Sequence, residues 1–158
     1  MIQLRTDRPG VIVRLLSVPH TGTRFTMAIL RFAGMQEGWY KEPQAGDYIQ
    51  AHFFGDERPN PIIYELDHPV IIPLRDINAV RVTWERKGKS LDNLAAAWRE
   101  MQIYLADHPQ TYLLRIDQPQ HRESDLQKIS ELLGRNLYAD WNNKVGSGDE
   151  QDKRVKLG

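Results

Sequence analysis

The sequence predicts an α+β fold: a curved antiparallel sheet or small partly closed β-barrel of six to seven strands, followed by a helix-strand-helix unit packed on it. Three patterns carry that expectation. Apolar residues recur mostly at every second position as far as Glu85, they recur at three-and-four spacing from Leu91 onward, and turn-forming clusters interrupt the first half at short intervals.

Taken in order, Ile2 to Arg5 reads as a short first strand, closed by the turn Arg8-Pro9-Gly10. Val11 to Val18 and Arg24 to Phe32 are rich in branched and aromatic residues, and Pro19-His20-Thr21-Gly22 between them is turn-forming, so the three together read as a β-hairpin. Both faces of the second arm are apolar, which suits a central strand. The alternation stops from Gly34 to Gly46, where a long loop is expected; loops of this length inside a domain often carry function. Strand character resumes at Asp47 to Phe54, Ile62 to Leu66 and Val70 to Leu74. In Val80 to Glu85, an alternating reading puts Val80, Val82 and Trp84 on a core face and Arg81, Thr83 and Glu85 on the other.

Ser90 is a good N-cap, because its hydroxyl can accept a bond from an orphan N–H of the first helical turn. Leu91, Leu94, Ala95, Trp98, Met101 and Leu105 then follow helical spacing until His108-Pro109 stops the run. Thr111 to Ile116 reads as a strand. Ser124 begins a second helix with a capping-box pattern, Leu126, Ile129, Leu132 and Leu133 form its apolar stripe, and Gly134 is either its C-cap or a tolerated interior glycine. A final turn is expected around Leu137, Tyr138 and Trp141.

The chain has 158 residues, a length typical of one domain that buries about 68 to 70% of its unfolded surface. We expect a single domain over residues 1–143, β-rich over 1–85 and helix-strand-helix over 90–143, with a disordered polar tail over 144–158. The absence of cysteine excludes disulfides and sulfur-ligated zinc. With neither a signal-peptide-like start nor an apolar run of membrane-spanning length, a cytoplasmic protein without membrane association is expected.

Basic and acidic residues number 21 each, so no net field draws the chain to nucleic acid or anionic lipid. The charge is nevertheless blocked: residues 1–34 hold five Arg against one Asp, residues 35–77 three basic against eight acidic, and residues 78–99 five basic against two acidic.

No catalytic or cofactor signature stands out. Phosphate-binding loops need several glycines ahead of a helix so that backbone N–H groups can approach the anion; no such run is present, so nucleotide binding is not expected and neither is a cofactor. Ser17 and the other serines lie in no nucleophile elbow. His20, His68, His108 and His121 sit near prolines in expected turns and read as surface residues, whereas His52 lies within a strand and could join Asp47, Asp56 or His68 in a catalytic or metal site.

Two groups suggest binding. Trp39, Tyr40 and Lys41 place adjacent aromatics in a glycine-flanked loop, where one ring could plug the core and another meet a partner. Arg81, Arg86, Lys87 and Lys89 surround Trp84 and could neutralise phosphates of a nucleic acid, although they equally suit a solvated turn. The leading expectation is therefore a non-catalytic binding protein whose partner is another protein. Nucleic-acid binding through Arg81 to Lys89 is the alternative, and an enzyme or metal site around His52 comes third.

Overall fold

A computed structural model describes residues 8–53 and 67–137, and its sheet is parallel throughout. Strands β1 (Val13–Ser17), β2 (Gln36–Glu37), β3 (Asp47–His52), β4 (Val70–Leu74) and β5 (Tyr112–Arg115) lie in the order β2-β3-β1-β4-β5. Helices α1 (Thr23–Phe32), α2 (Ile77–Arg86), α3 (Leu91–Asp107) and α4 (Pro119–Leu133) connect and cover them. This α/β, Rossmann-like arrangement replaces the antiparallel sheet or barrel expected from the sequence. The strands expected at Ile2 to Arg5 and Ile62 to Leu66, the position of Asp56, and everything beyond Leu137, including the tail, lie outside the described residues.

The parallel sheet follows from strands that are apolar on both faces. All five residues of β1 are buried, as are Val70, Ile71 and Ile72 of β4, a continuity that suits a sheet covered by helices on each side. Val13 and Leu15 of β1 with Ile71 of β4 pack against α1 and α4 through Phe25, Ile29, Leu30, Leu126 and Ile129. Leu16, Val70 and Ile72 pack the other way, against Val80 and Trp84 of α2 and Leu94, Ala97, Met101 and Tyr104 of α3. The result is three layers with the sheet in the middle.

Two expected strands are helices, and each error has a physical cause. Arg24 to Phe32 was expected as the second arm of a hairpin because apolar residues fill both of its alternating faces; as helix α1 it buries Phe25, Thr26, Ile29 and Leu30, a stripe at one-turn spacing. In Val80 to Glu85, Val80 and Trp84 share a face in both a strand and a helix, since four residues satisfy either period. Val82 separates the two cases. It is 57% exposed while Thr83 is buried, as a helix requires.

Other elements stand close to their expected places. Ser90 caps α3, its hydroxyl accepting from the Asn93 N–H at 3.3 Å. Helix α4 begins at Pro119, five residues before Ser124, with proline in the first turn where its missing N–H costs nothing. It ends at Gly134, whose φ of 68° is a left-handed C-cap. Asp125 ties this helix to β5: its 2% exposed carboxylate accepts from the Arg115 backbone N–H at 2.9 Å and from the guanidinium at 3.0 and 2.7 Å.

Candidate functional site

The strand order places a switch point at the carboxyl ends of β1 and β4. From β1 the chain turns through α1 to the β2 edge, whereas from β4 it runs through α2 and α3 to β5 on the opposite edge. The diverging connections leave a crevice there, which is where open α/β sheets bind ligands. The segment expected as a hairpin turn, Pro19-His20-Thr21-Gly22, is instead the loop that carries β1 into α1 at this crevice.

The loop is held by its carbonyl oxygens. Val18 O accepts from the Thr21 hydroxyl at 2.7 Å, Pro19 O from the Trp84 indole N–H at 2.9 Å, His20 O from an Arg75 N–H at 3.3 Å, and Gly22 O from the Thr26 hydroxyl at 2.8 Å. With the acceptors turned into these bonds, the loop leads into the N–H groups of the first turn of α1, which have no intrahelical carbonyl to bond. Gly22 at the N-cap supplies no side-chain cap, and no acidic residue lies in the first turn. Gly22 is required by geometry: its φ is 109°, and a Cβ there would stand 2.5 Å from Ile116 Cδ1. His20 is left-handed too, with φ 70°, an uncommon and strained conformation for a residue with a side chain.

The electrostatics have one sign. His20 is pushed down to about 4, first by burial and then by Lys89, Lys87, His52 and Arg24, each of which disfavours a further positive charge. Its Nε2 is buried and has no hydrogen-bond partner among the described residues. His52 is also lowered, mainly by burial, with a bond to the Ser17 backbone acting in the opposite direction and Lys89 in the same one.

Beneath the loop lies a chain of polar groups. Gln50 Nε2 is 3.1 Å from His52 Nε2, His52 Nδ1 is 3.2 Å from Ser17 Oγ and 3.3 Å from Ser17 O, and Ser17 Oγ is 2.7 Å from Thr23 Oγ1. Ser17 is fully buried and Thr23 is 8% exposed. Beside the loop is a pocket of 270 Å³ lined by Pro19, Phe53, Trp84, Lys89, Ser90, Asn93 and Ala97. Its walls are aromatic and aliphatic, with Lys89 and the α3 N-terminus as the polar side; the Lys89 ammonium lies 5.3 Å from the Trp84 ring centroid.

Of the residues singled out in the sequence, Lys87 and Lys89 reach this site through their charge and Lys89 also through the pocket wall. Arg81 and Arg86 are exposed on α2. Trp39, Tyr40 and Lys41 lie in the loop between β2 and β3; Trp39 is 59% and Tyr40 39% exposed, so neither ring plugs the core. The two rings meet edge to face at 6.4 Å, with the Lys41 ammonium 5.8 Å from each. Asp47 is bound to Arg8 at 2.7 Å, and it begins the strand that His52 ends, about 16 Å away at strand rise. Asp47 therefore does not orient His52. Among the described residues no three His, Asp or Glu gather as a metal site would need. Sequence reasoning missed His20, Thr21, Gly22 and Thr23. The signal for them was the helical spacing of Phe25, Thr26, Ile29 and Leu30 directly behind Gly22.

No family model, no curated protein and no solved structure matches the chain. Among the described residues, no helix is long and apolar enough to cross a membrane.

Proposed function

We propose that this chain binds a small organic molecule carrying a phosphate or sulfate group. The anion sits on the β1–α1 loop at the N-terminus of α1, and the organic part occupies the neighbouring pocket. The observation that carries this reading is the buried His20 Nε2, without a hydrogen-bond partner among the described residues, in a field to which Lys89, Lys87 and Arg24 contribute positive charge. An anion balances those cations, and the first turn of α1, whose N-cap Gly22 brings no side-chain cap, supplies donors and a favourable dipole for it. The pocket, at 270 Å³ with Phe53 and Trp84 in its walls, suits a single ring better than an extended chain.

Calorimetric titration with phenyl phosphate, inorganic phosphate and phenol tests the reading. Saturable binding of both phosphates is expected, tighter for the phenyl ester and weakened by Lys89→Ala. Binding of phenol alone, or of none of the three, would overturn it.

A second reading is supported by the exposure of Trp39 and Tyr40: a contact with a protein partner through Trp39, Tyr40 and Lys41, separate from the anion site. Trp39→Ala would then weaken the partner complex and leave the melting temperature nearly unchanged. A large fall in melting temperature would instead assign the ring a structural role.

A further inference from the structure

Resting on the anion site proposed above, we infer that His52 is a positioning residue: acting through Ser17, it orients the Thr23 hydroxyl as a donor to the bound anion. The carbonyl oxygen of Ser17 can only accept, and it faces His52 Nδ1 at 3.3 Å. Nδ1 therefore carries the proton of the neutral ring, and Nε2 is the lone pair that accepts from the Gln50 amide at 3.1 Å.

The same Nδ1–H also points to Ser17 Oγ at 3.2 Å, which makes that hydroxyl an acceptor from the ring. Ser17 then directs its own proton to its other neighbour, Thr23 Oγ1, at 2.7 Å. Thr23, the first residue of α1, accepts this bond, which leaves its own hydroxyl proton for another acceptor. The polarity runs one way, from Gln50 through His52 and Ser17 to Thr23. In this tautomer His52 cannot remove the Ser17 proton, because the nitrogen facing the hydroxyl is already protonated. The Ser17 and His52 pair is thus an orienting device rather than a nucleophile and its base.

Two measurements test the inference. The imidazole nitrogen shifts of His52 in the wild-type protein at neutral pH are expected to show Nδ1 protonated and Nε2 bare; the opposite tautomer would overturn the proposal without any variant. In phenyl phosphate titrations, Thr23→Val is expected to lose roughly ten- to hundredfold in affinity, the range for a hydrogen bond to a charged group. Thr23→Ser should restore most of it. His52→Asn, whose amide N–H replaces Nδ1–H, should bind within about threefold of wild type, whereas His52→Leu should lose several-fold at an unchanged circular dichroism spectrum.

Wild-type affinity in Thr23→Val or His52→Leu, alongside weakened binding in Lys89→Ala, would overturn the role of Thr23 or His52 and leave the anion site standing. Failure of the wild type to bind any phosphate would overturn both.

Discussion

The indole N–H of Trp84 donates to the carbonyl oxygen of Pro19 at 2.9 Å, joining the end of α2 to the loop that begins α1. The ring is 6% exposed and forms both a wall of the pocket and an edge contact to His20, with centroids 6.3 Å apart. One buried residue thus holds the core, the pocket and the loop together. Trp84→Phe keeps an aromatic wall and removes the donor, leaving Pro19 O without its partner. We expect a loss of about 1 to 3 kcal/mol in urea unfolding, accompanied by weaker phenyl phosphate binding in the same variant.

Acid should destabilise the protein through its half-buried histidines, His20 and His52. An unfolded histidine titrates near 6.5, whereas His20 is held down at about 4 and His52 is lowered in the same direction. The unfolded chain therefore takes up these protons first. The stability contributed by the neutral rings is complete above pH ~6.5 and is lost as the pH falls toward ~4. His20→Gln should flatten the pH dependence of the unfolding midpoint across that window. A bound sulfate, which stays anionic there, favours protonated His20, so its binding at pH 5 should be accompanied by proton uptake in calorimetry run in two buffers.

Asp125 predicts a clear loss outside the apolar core. Its buried carboxylate holds three N–H groups of the part-exposed Arg115, and its removal leaves the Arg115 backbone N–H without that acceptor while water reaches the guanidinium. Asp125→Ala should cost about 1 to 3 kcal/mol in urea unfolding. Phosphate binding should weaken in the same variant, because Ile116, next to Arg115, stands against Gly22 of the anion-site loop and α4 packs on α1.

Val80 and Val82 separate the helical reading of α2 from an alternating strand. Val80 is fully buried and Val82 is 57% exposed. Val82→Lys should stay within about 0.5 kcal/mol of wild type, as exposed substitutions do, while Val80→Lys buries an unpaired charge and should unfold most of the population. Equal, large losses at both positions would restore the strand.

The contrast between Val80 and Val82 also shows where the sequence was readable. Helix α3 was legible from Ser90 and its long stripe, because seventeen residues repeat the period several times and a cap marks the start. The strands at β1, β3, β4 and β5 were legible from their composition, and Gly134 from its place after the last periodic leucine. Short helices were not. Ten-residue α1 and α2 contain too few turns to distinguish a helical stripe from alternation when Met27 and Ala28 add apolar side chains between the buried positions.

Those two misreadings propagated to the whole architecture. A chain in which strands alternate with helices implies parallel crossovers, whereas the same chain with α1 and α2 read as strands implies hairpins and a barrel. The site was lost for the same reason. Pro19-His20-Thr21-Gly22 has turn chemistry in either reading, and only the helix behind it makes the loop a place where an anion can sit. Of the basic cluster, Lys87 and Lys89 have a use at this loop, which their spacing alone did not disclose.

Backbone amide shifts during a phenyl phosphate titration test the anion site most directly. Saturable changes centred on Thr21 to Arg24, with the Trp84 indole N–H moving in parallel, are the expected result. Absence of saturable changes in the β1–α1 loop, or changes confined to Trp39 to Lys41, would contradict it.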